Sequence, residues 1–210
     1  MMNGVYMTNL NWGDAHDESK QAQETEYRGV RYRSKLEAKT AQTLDNFGIG
    51  YKYEPEGYQL SNGLWYKPDF LLPDADEFIE CKGVMENKDV AKIVGLVKDT
   101  GCPVLAISYE NSMLIAVNDK DPENEFIVFT GNEIKLMKCR RCGTRYFVGR
   151  HDMLFDDDVF SHIECPHCGV PGIHADTVKE IENGQAFFDM GQDEVADTPF
   201  YANLASVFNS

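Results

Sequence analysis

Two runs, Tyr66-Lys67-Pro68-Asp69-Phe70-Leu71-Leu72-Pro73 and Phe78-Ile79-Glu80-Cys81-Lys82-Gly83, with ten residues between Asp69 and Glu80, decide how this chain folds. Each is short, rich in aromatic and aliphatic residues, and closed by Pro or Gly. That reads as two strands of a hairpin, with Pro68-Asp69 inside the first. Antiparallel pairing at this spacing brings the carboxylates of Asp69 and Glu80 to one rim of a sheet. Lys82 follows Glu80 by two residues and leaves the same strand face, because side chains alternate with period two.

Working outward, Ser34-Lys35-Leu36-Glu37 has the form of a capping box. It opens a helix that runs to Phe47 and stops at Gly48 and Gly50, with Leu36, Ala41, Leu44 and Phe47 on one face. Residues 51–54 form a further strand. On the other side, residues 87–99 carry Val90, Ile93, Val94 and Val97 at helical spacing before Gly101 and Pro103. Strands are expected at 104–109, 113–117 and 125–130. A helix, a strand meander, a crossover helix and more strands give an α/β fold, a mixed sheet flanked by helices.

Two hard oxygen ligands converging on a sheet rim, joined by the backbone carbonyl of Cys81, suit Mg2+ or Mn2+, which keeps several waters. Lys82 is then placed to orient a water or to stabilise charge. Glu37 is a third acid, on the helix just upstream and beside a group of arginines. It is also the last member of the Ser34 capping box, and the two roles are compatible.

These residues resemble the PD-(D/E)xK phosphodiesterase superfamily, which includes restriction endonucleases, Holliday-junction resolvases and recombination exonucleases. The likeness is greatest to its small phage nucleases. It runs from about Tyr27 to Tyr109, through Tyr32-Arg33-Ser34-Lys35-Leu36-Glu37-Ala38, Tyr53-Glu54-Pro55-Glu56 and the two runs quoted first. The resemblance implies a restriction-endonuclease-like core over residues 27–134 and a Mg2+-dependent deoxyribonuclease of phage DNA replication, recombination or processing. It implies that Asp69 and Glu80 hold the ion, that Lys82 serves the water, and that Glu37 is the helix acid. Cys81 stands where the family usually has an aliphatic residue. Family precedent also allows a homodimer. A catalytically inactive DNA-binding or adaptor protein on the same fold is the alternative reading.

Cys139-x-x-Cys142 and Cys165-x-x-Cys168, 22 residues apart, are two knuckles, each followed by Gly. Four thiols in this pattern predict a tetrahedral metal site and a zinc ribbon over residues 135–175, with one structural Zn2+. The knuckles also look like those of rubredoxins, so iron is the minority reading. Cys81 and Cys102 read as core thiols.

The net charge of −15 argues at first against a polyanionic partner. Its distribution removes that objection while predicting weak non-specific binding: residues 1–26 carry −4 and residues 151–210 carry −11, which leaves residues 27–150 neutral. Within the neutral stretch lie Arg28, Arg31, Arg33 and Lys35, and a second basic group from Lys135 to Arg150 that includes Arg140, Arg141 and Arg145. Both are candidate contacts to DNA phosphates. Residues 1–26 read as a polar arm, and 176–210 as a short helix over 176–183 followed by an acidic tail. The tail is either flexible or a docking segment for a replication or recombination protein. No apolar run approaches the 18 or so residues of a membrane span, and residues 1–20 lack a basic-then-apolar leader, so no membrane partner is expected and the cytoplasm is the expected location.

Overall fold

The computed structural model describes residues 22–108, 112–117, 126–130, 133–149, 164–170 and 175–181. The start of the expected arm, the acidic tail beyond 181, and His151, His162 and His174 lie outside the described residues.

A tight hairpin comes first. β1 (Thr25–Tyr27) pairs with β2 (Val30–Tyr32). Arg28 and Gly29 make the turn, both with positive φ, 49° and 77°, the conformation that joins two strands through two residues. Thr25 and Glu26 therefore belong to the fold and not to the arm.

Helix α1 (Lys35–Asn46) follows with Ser34 as its N-cap and Phe47 as its C-cap. Leu36, Ala38, Ala41 and Leu44 are buried on one face. After β3 (Lys52–Tyr53) a small hairpin, β4 (Tyr58–Gln59) with β5 (Trp65–Tyr66), stands apart from the main sheet. Ser61, in its loop, donates through N–H (2.7 Å) and Oγ (2.6 Å) to Asp99, and Asn62 donates to the Ala91 carbonyl (3.2 Å). These bonds fasten the hairpin to the second helix. β6 (Phe70–Leu72), β7 (Glu77–Cys81), α2 (Asn87–Thr100), β8 (Val104–Ile107), β9 (Ser112–Val117) and β10 (Phe126–Thr130) complete the core. The first strand of the expected hairpin, with Pro68-Asp69 inside it, is thus two, β5 and β6, and Pro68 and Asp69 lie in the break between them. Proline offers no N–H to a ladder and interrupts the strand there.

The main sheet has the order β10-β9-β8-β7-β6-β3. Only β7 and β8, joined through α2, run parallel; the other pairs are antiparallel. The sheet is therefore mixed, with helices on both faces. Alternation along the strands sorts side chains cleanly. Phe70, Leu72, Ile79, Cys81, Leu105, Ile107, Leu114 and Phe129 pack with α1, while Phe78, Val104, Ala106, Met113, Ile115 and Val128 pack with Ile93, Leu96 and Val97 of α2. Complete burial of each large aliphatic side chain is worth about 1.5–3 kcal/mol.

β11 (Ile134–Cys139), β12 (Arg145–Gly149) and β13 (Ala175–Ile181) form a second sheet in the order β12-β11-β13, antiparallel throughout. The helix expected over 176–183 is this strand instead. Thr177, Val178 and Ile181 are β-branched and favour extended backbone, and the strand pairs along the edge of β11, with Val178 passed over where the register shifts between Leu136 and Met137. The second sheet is no satellite: Ile134, Leu136, Met137, Tyr146, Phe147 and Val148 share one apolar cluster with α1 and the sheet face beneath it. Two contacts fix the seam. Glu77 of β7 accepts the N–H of Phe147, and Gly149 lies so close to the Phe129 ring that a Cβ there would overlap it.

Candidate functional site

The β6–β7 register pairs Phe70 with Ile79, Leu71 with Phe78 and Leu72 with Glu77. Continued by one residue, it sets Asp69 opposite Glu80 at the rim. Both are buried, at 1% and 2% exposure, and both belong to the face turned toward α2. One oxygen of Asp69, Oδ2, accepts the N–H of Cys81 at 2.8 Å. Burial, then the charge of Glu80, push its carboxyl up to about 7 against that hydrogen bond.

Lys82 leaves the same strand face as Glu80, and its Nζ is 2.8 Å from Glu80 Oε1 and 4.0 Å from Asp89 Oδ1. Burial works to lower its pKa, but the charge of Glu80 and its neighbours leaves it raised above the ordinary lysine value. The side chain is a fixed ammonium. The other oxygen, Glu80 Oε2, and the hydroxyl of Tyr66 are buried without a well-formed hydrogen bond among the described residues, although the hydroxyl lies close enough to the Glu80 carboxylate for a looser one. Burial first, then the charge of Glu80 and that looser bond, hold the hydroxyl well above the usual phenol range. A buried polar atom left without a partner costs about 1–3 kcal/mol, so hydrogen-bonding capacity is only partly met where the two carboxylates converge.

Glu37 behaves differently from the expectation that it joins this pair. Ser34 Oγ (2.9 Å) donates to its Oε1, and the Tyr53 hydroxyl (2.5 Å) and the Arg33 N–H (3.2 Å) donate to Oε2. The acid folds back over the start of its own helix, and those donors fill it. It reaches Asp69 only through Arg33, whose guanidinium contacts Asp69 Oδ1 at 2.5 Å, Glu54 Oε1 at 2.9 Å and Glu37 Oε2 at 3.9 Å. Among the described residues, Glu37, Asp69 and Glu80 do not gather into one metal-sized cluster. Cys81 ends β7, which puts its carbonyl at the rim, and its thiol is buried against Thr40 Oγ1 at 3.3 Å.

The other basic candidates divide. Arg28 pairs with Asp45 (2.7 Å) and Arg31 with Glu24 (3.5 Å), both largely exposed. Lys35, Arg140 and Arg141 are exposed. Lys135 is buried. Arg145 turns inward, its Nε buried without a partner, and lines a cleft of about 280 Å³ with Gly48, Asp74, Thr144 and His167.

The four cysteines form the second centre. Their sulfurs lie within 4.8 Å of one another, with 3.7 Å between Cys139 and Cys168 and 3.6 Å between Cys142 and Cys165. All are free thiols. Metal–sulfur bonds of about 2.3 Å in a tetrahedron put sulfurs about 3.8 Å apart, so this site can bind a metal ion such as zinc. The knuckles are built alike: Gly143 N–H donates to Cys139 O (2.9 Å) and Gly169 N–H to Cys165 O (2.8 Å), with φ of 79° and 66°. Only glycine takes that backbone shape without strain. The N–H groups of His167 and Cys168 also face the Cys165 sulfur.

No protein-family model matches the chain, and no curated protein matches it. The chain's two centres stand at different ends of β6. Leu72, beside the knuckles in the cleft, is three residues from Asp69, about 10 Å along an extended chain. Asp89, Tyr66, Tyr53 and Glu54 all belong to the rim, though none of them has a role in the site expected from the sequence. Asp89 carried the one available signal, as the acid three residues after Glu86 at the start of α2, where it accepts the Glu86 N–H at 3.2 Å.

Proposed function

We propose that the chain is a divalent-metal-dependent deoxyribonuclease of restriction-endonuclease-like fold that hydrolyses phosphodiester bonds. It would act in phage DNA replication, recombination or processing, in the host cytoplasm, with a structural zinc in the cysteine centre. One observation carries the reading: Asp69 and Glu80 stand opposite each other at a sheet rim, with Lys82 on the same strand face and a buried Glu80 oxygen left without a well-formed hydrogen bond among the described residues.

That donor set fits Mg2+ or Mn2+. Asp69 Oδ1, which Arg33 holds, and Glu80 Oε2, buried without a well-formed bond, are hard oxygens, and the Cys81 carbonyl can add a third. Glu37 is omitted, since its own helix and Tyr53 take its oxygens. When bound, such an ion polarises a phosphoryl oxygen and acidifies its water.

The chain's own groups supply the rest. Lys82 keeps its proton, so it is a donor and not a general base: it orients a water or balances charge gathering on the phosphoryl oxygens. Asp89, across from Glu80, limits the directions its ammonium can take. Arg28, Arg31 and Lys35, exposed beside the start of α1, suit contacts to the phosphate backbone, and Arg140 and Arg141 suit the same role at the first knuckle.

The test uses zinc-loaded protein with end-labelled single-stranded, duplex, flapped and four-way-junction DNA, with and without Mg2+ or Mn2+. Cleavage that needs the ion and disappears in Asp69→Asn and Lys82→Ala is the expected result. Binding without cleavage of any substrate overturns it in favour of an inactive DNA-binding or adaptor protein.

A further inference from the structure

Arg33 is the residue whose position the proposed activity does not explain. It was expected to project toward DNA phosphate, yet its guanidinium spans three carboxylates, Asp69, Glu54 and Glu37. The contact with Asp69 is specific in kind. Oδ2 of Asp69 is committed to the Cys81 N–H, so Oδ1 is the oxygen left to face the rim, and Oδ1 is the one Arg33 takes. The two ends of the guanidinium are held unequally. Nε donates to Glu54, which Lys67 Nζ also anchors at 2.8 Å, while Nη2 reaches the deeply buried Asp69. The Arg33 side chain itself is 57% exposed, so water and a path outward are at hand.

Resting on the metal-site reading above, we propose that Arg33 is a resident counter-ion of the rim: it neutralises Asp69 when no divalent cation is bound and gives up Oδ1 when one arrives. Two cations cannot share that oxygen in a buried setting without strong mutual repulsion. Pairing with a cation in advance also removes the cost of keeping Asp69 charged and alone. Glu54 then acts as the hinge. Retained on Nε, it keeps the released guanidinium beside the rim, positioned for an incoming phosphate.

The consequence is measurable without nucleic acid. Mn2+ binding to zinc-loaded, full-length protein is followed by electron paramagnetic resonance, and the signal lost in Asp69→Asn defines the rim site against weak binding to the acidic segments. Arg33→Gln keeps length and hydrogen bonding but removes the charge, and it is expected to tighten that site about tenfold at low salt, the scale of one charge-assisted hydrogen bond. Arg33→Lys keeps the charge and is expected to stay within about threefold of the parent. Arg31→Gln, an equal loss of charge two residues away, is expected to leave the constant unchanged. Equal tightening in Arg31→Gln means a diffuse field and overturns the exchange, and an unchanged or weaker constant in folded Arg33→Gln overturns it as well. Absence of any Asp69-dependent Mn2+ site overturns the metal reading itself, a result distinct from both.

Discussion

Glu77 on β7 and Phe147 on β12 meet across the seam between the two sheets: the N–H of Phe147 lies 2.9 Å from one carboxylate oxygen and 3.1 Å from the other. Among the described residues, no basic group shares the site. Burial holds the Glu77 carboxyl well above the usual carboxylate range, and the single N–H offsets this only in part. Folding therefore favours the protonated acid.

The sign of the pH effect follows. A group with a raised native pKa adds stability that is complete below its unfolded value, near 4.5, and is lost as pH rises through the native value. Glu77→Gln removes the proton but keeps an acceptor for Phe147. Its melting temperature is expected to exceed that of the parent increasingly from pH 5 to pH 8, in calorimetry at fixed ionic strength. Parallel curves would show that Glu77 does not titrate across this range.

Gly149→Ala tests the other half of the seam. Its Cβ would be built into the Phe129 ring, and both residues lie in strands that cannot move apart singly. A loss of about 2–3 kcal/mol is expected from overpacking, read by urea denaturation. Phe129→Leu in the same chain should recover part of it.

Removing metal from the cysteine centre should be felt well beyond the knuckles. Cys139 and Cys165 are buried members of the apolar cluster that contains Leu36, Leu44 and Ile79. Chelation, or Cys142→Ser, is expected to lower the single melting transition by about 10 °C, given about 2–4 °C per kcal/mol for a chain of this size. Zinc should restore it after chelation. Two separate transitions, with only the smaller one moving, would contradict a shared core.

Ser34→Ala removes two things at once. The hydroxyl caps α1 by accepting the Glu37 N–H at 3.1 Å and steadies the Glu37 carboxylate by donating to it. A cost of about 1 kcal/mol is expected from the cap alone. Ser34→Thr keeps both bonds and should stay within about 0.5 kcal/mol of the parent by the same denaturation measurement.

The parts of this fold legible in the sequence are those that neighbours in the chain determine. α1 and α2 follow their capping residues and apolar spacing to within a residue at each end, and the Asp69–Glu80 pairing follows from strand periodicity. Partnerships across the fold were not legible. Arg33 finds Asp69 at a separation of 36 residues and Phe147 finds Glu77 at 70, and no local pattern announces either. β13 was misread because Asp176 and the charged residues behind it imitate the start of a helix, whereas its pairing is decided by an edge of β11 about forty residues upstream. Ser34 is the cap its sequence predicts, but the Glu37 carboxylate does not close the box on the Ser34 N–H; it takes the Ser34 hydroxyl, the Arg33 N–H and the hydroxyl of Tyr53, a residue of a quoted motif without an assigned task.

The shared apolar cluster bears on how such a chain can be cut and recombined. Ending it before Ile134 would leave the α1 side of the sheet, with Phe129, Ile79 and Leu114, facing water over the area that Leu136, Tyr146, Phe147 and Val148 now cover. A bare sheet face of that kind invites self-association, so the first 133 residues made alone are expected in inclusion bodies and not as a free-standing domain. Grafting the cysteine segment onto another protein would likewise carry half a core with nothing beneath it. A recombination joint between the two segments would separate surfaces that neither side can leave open.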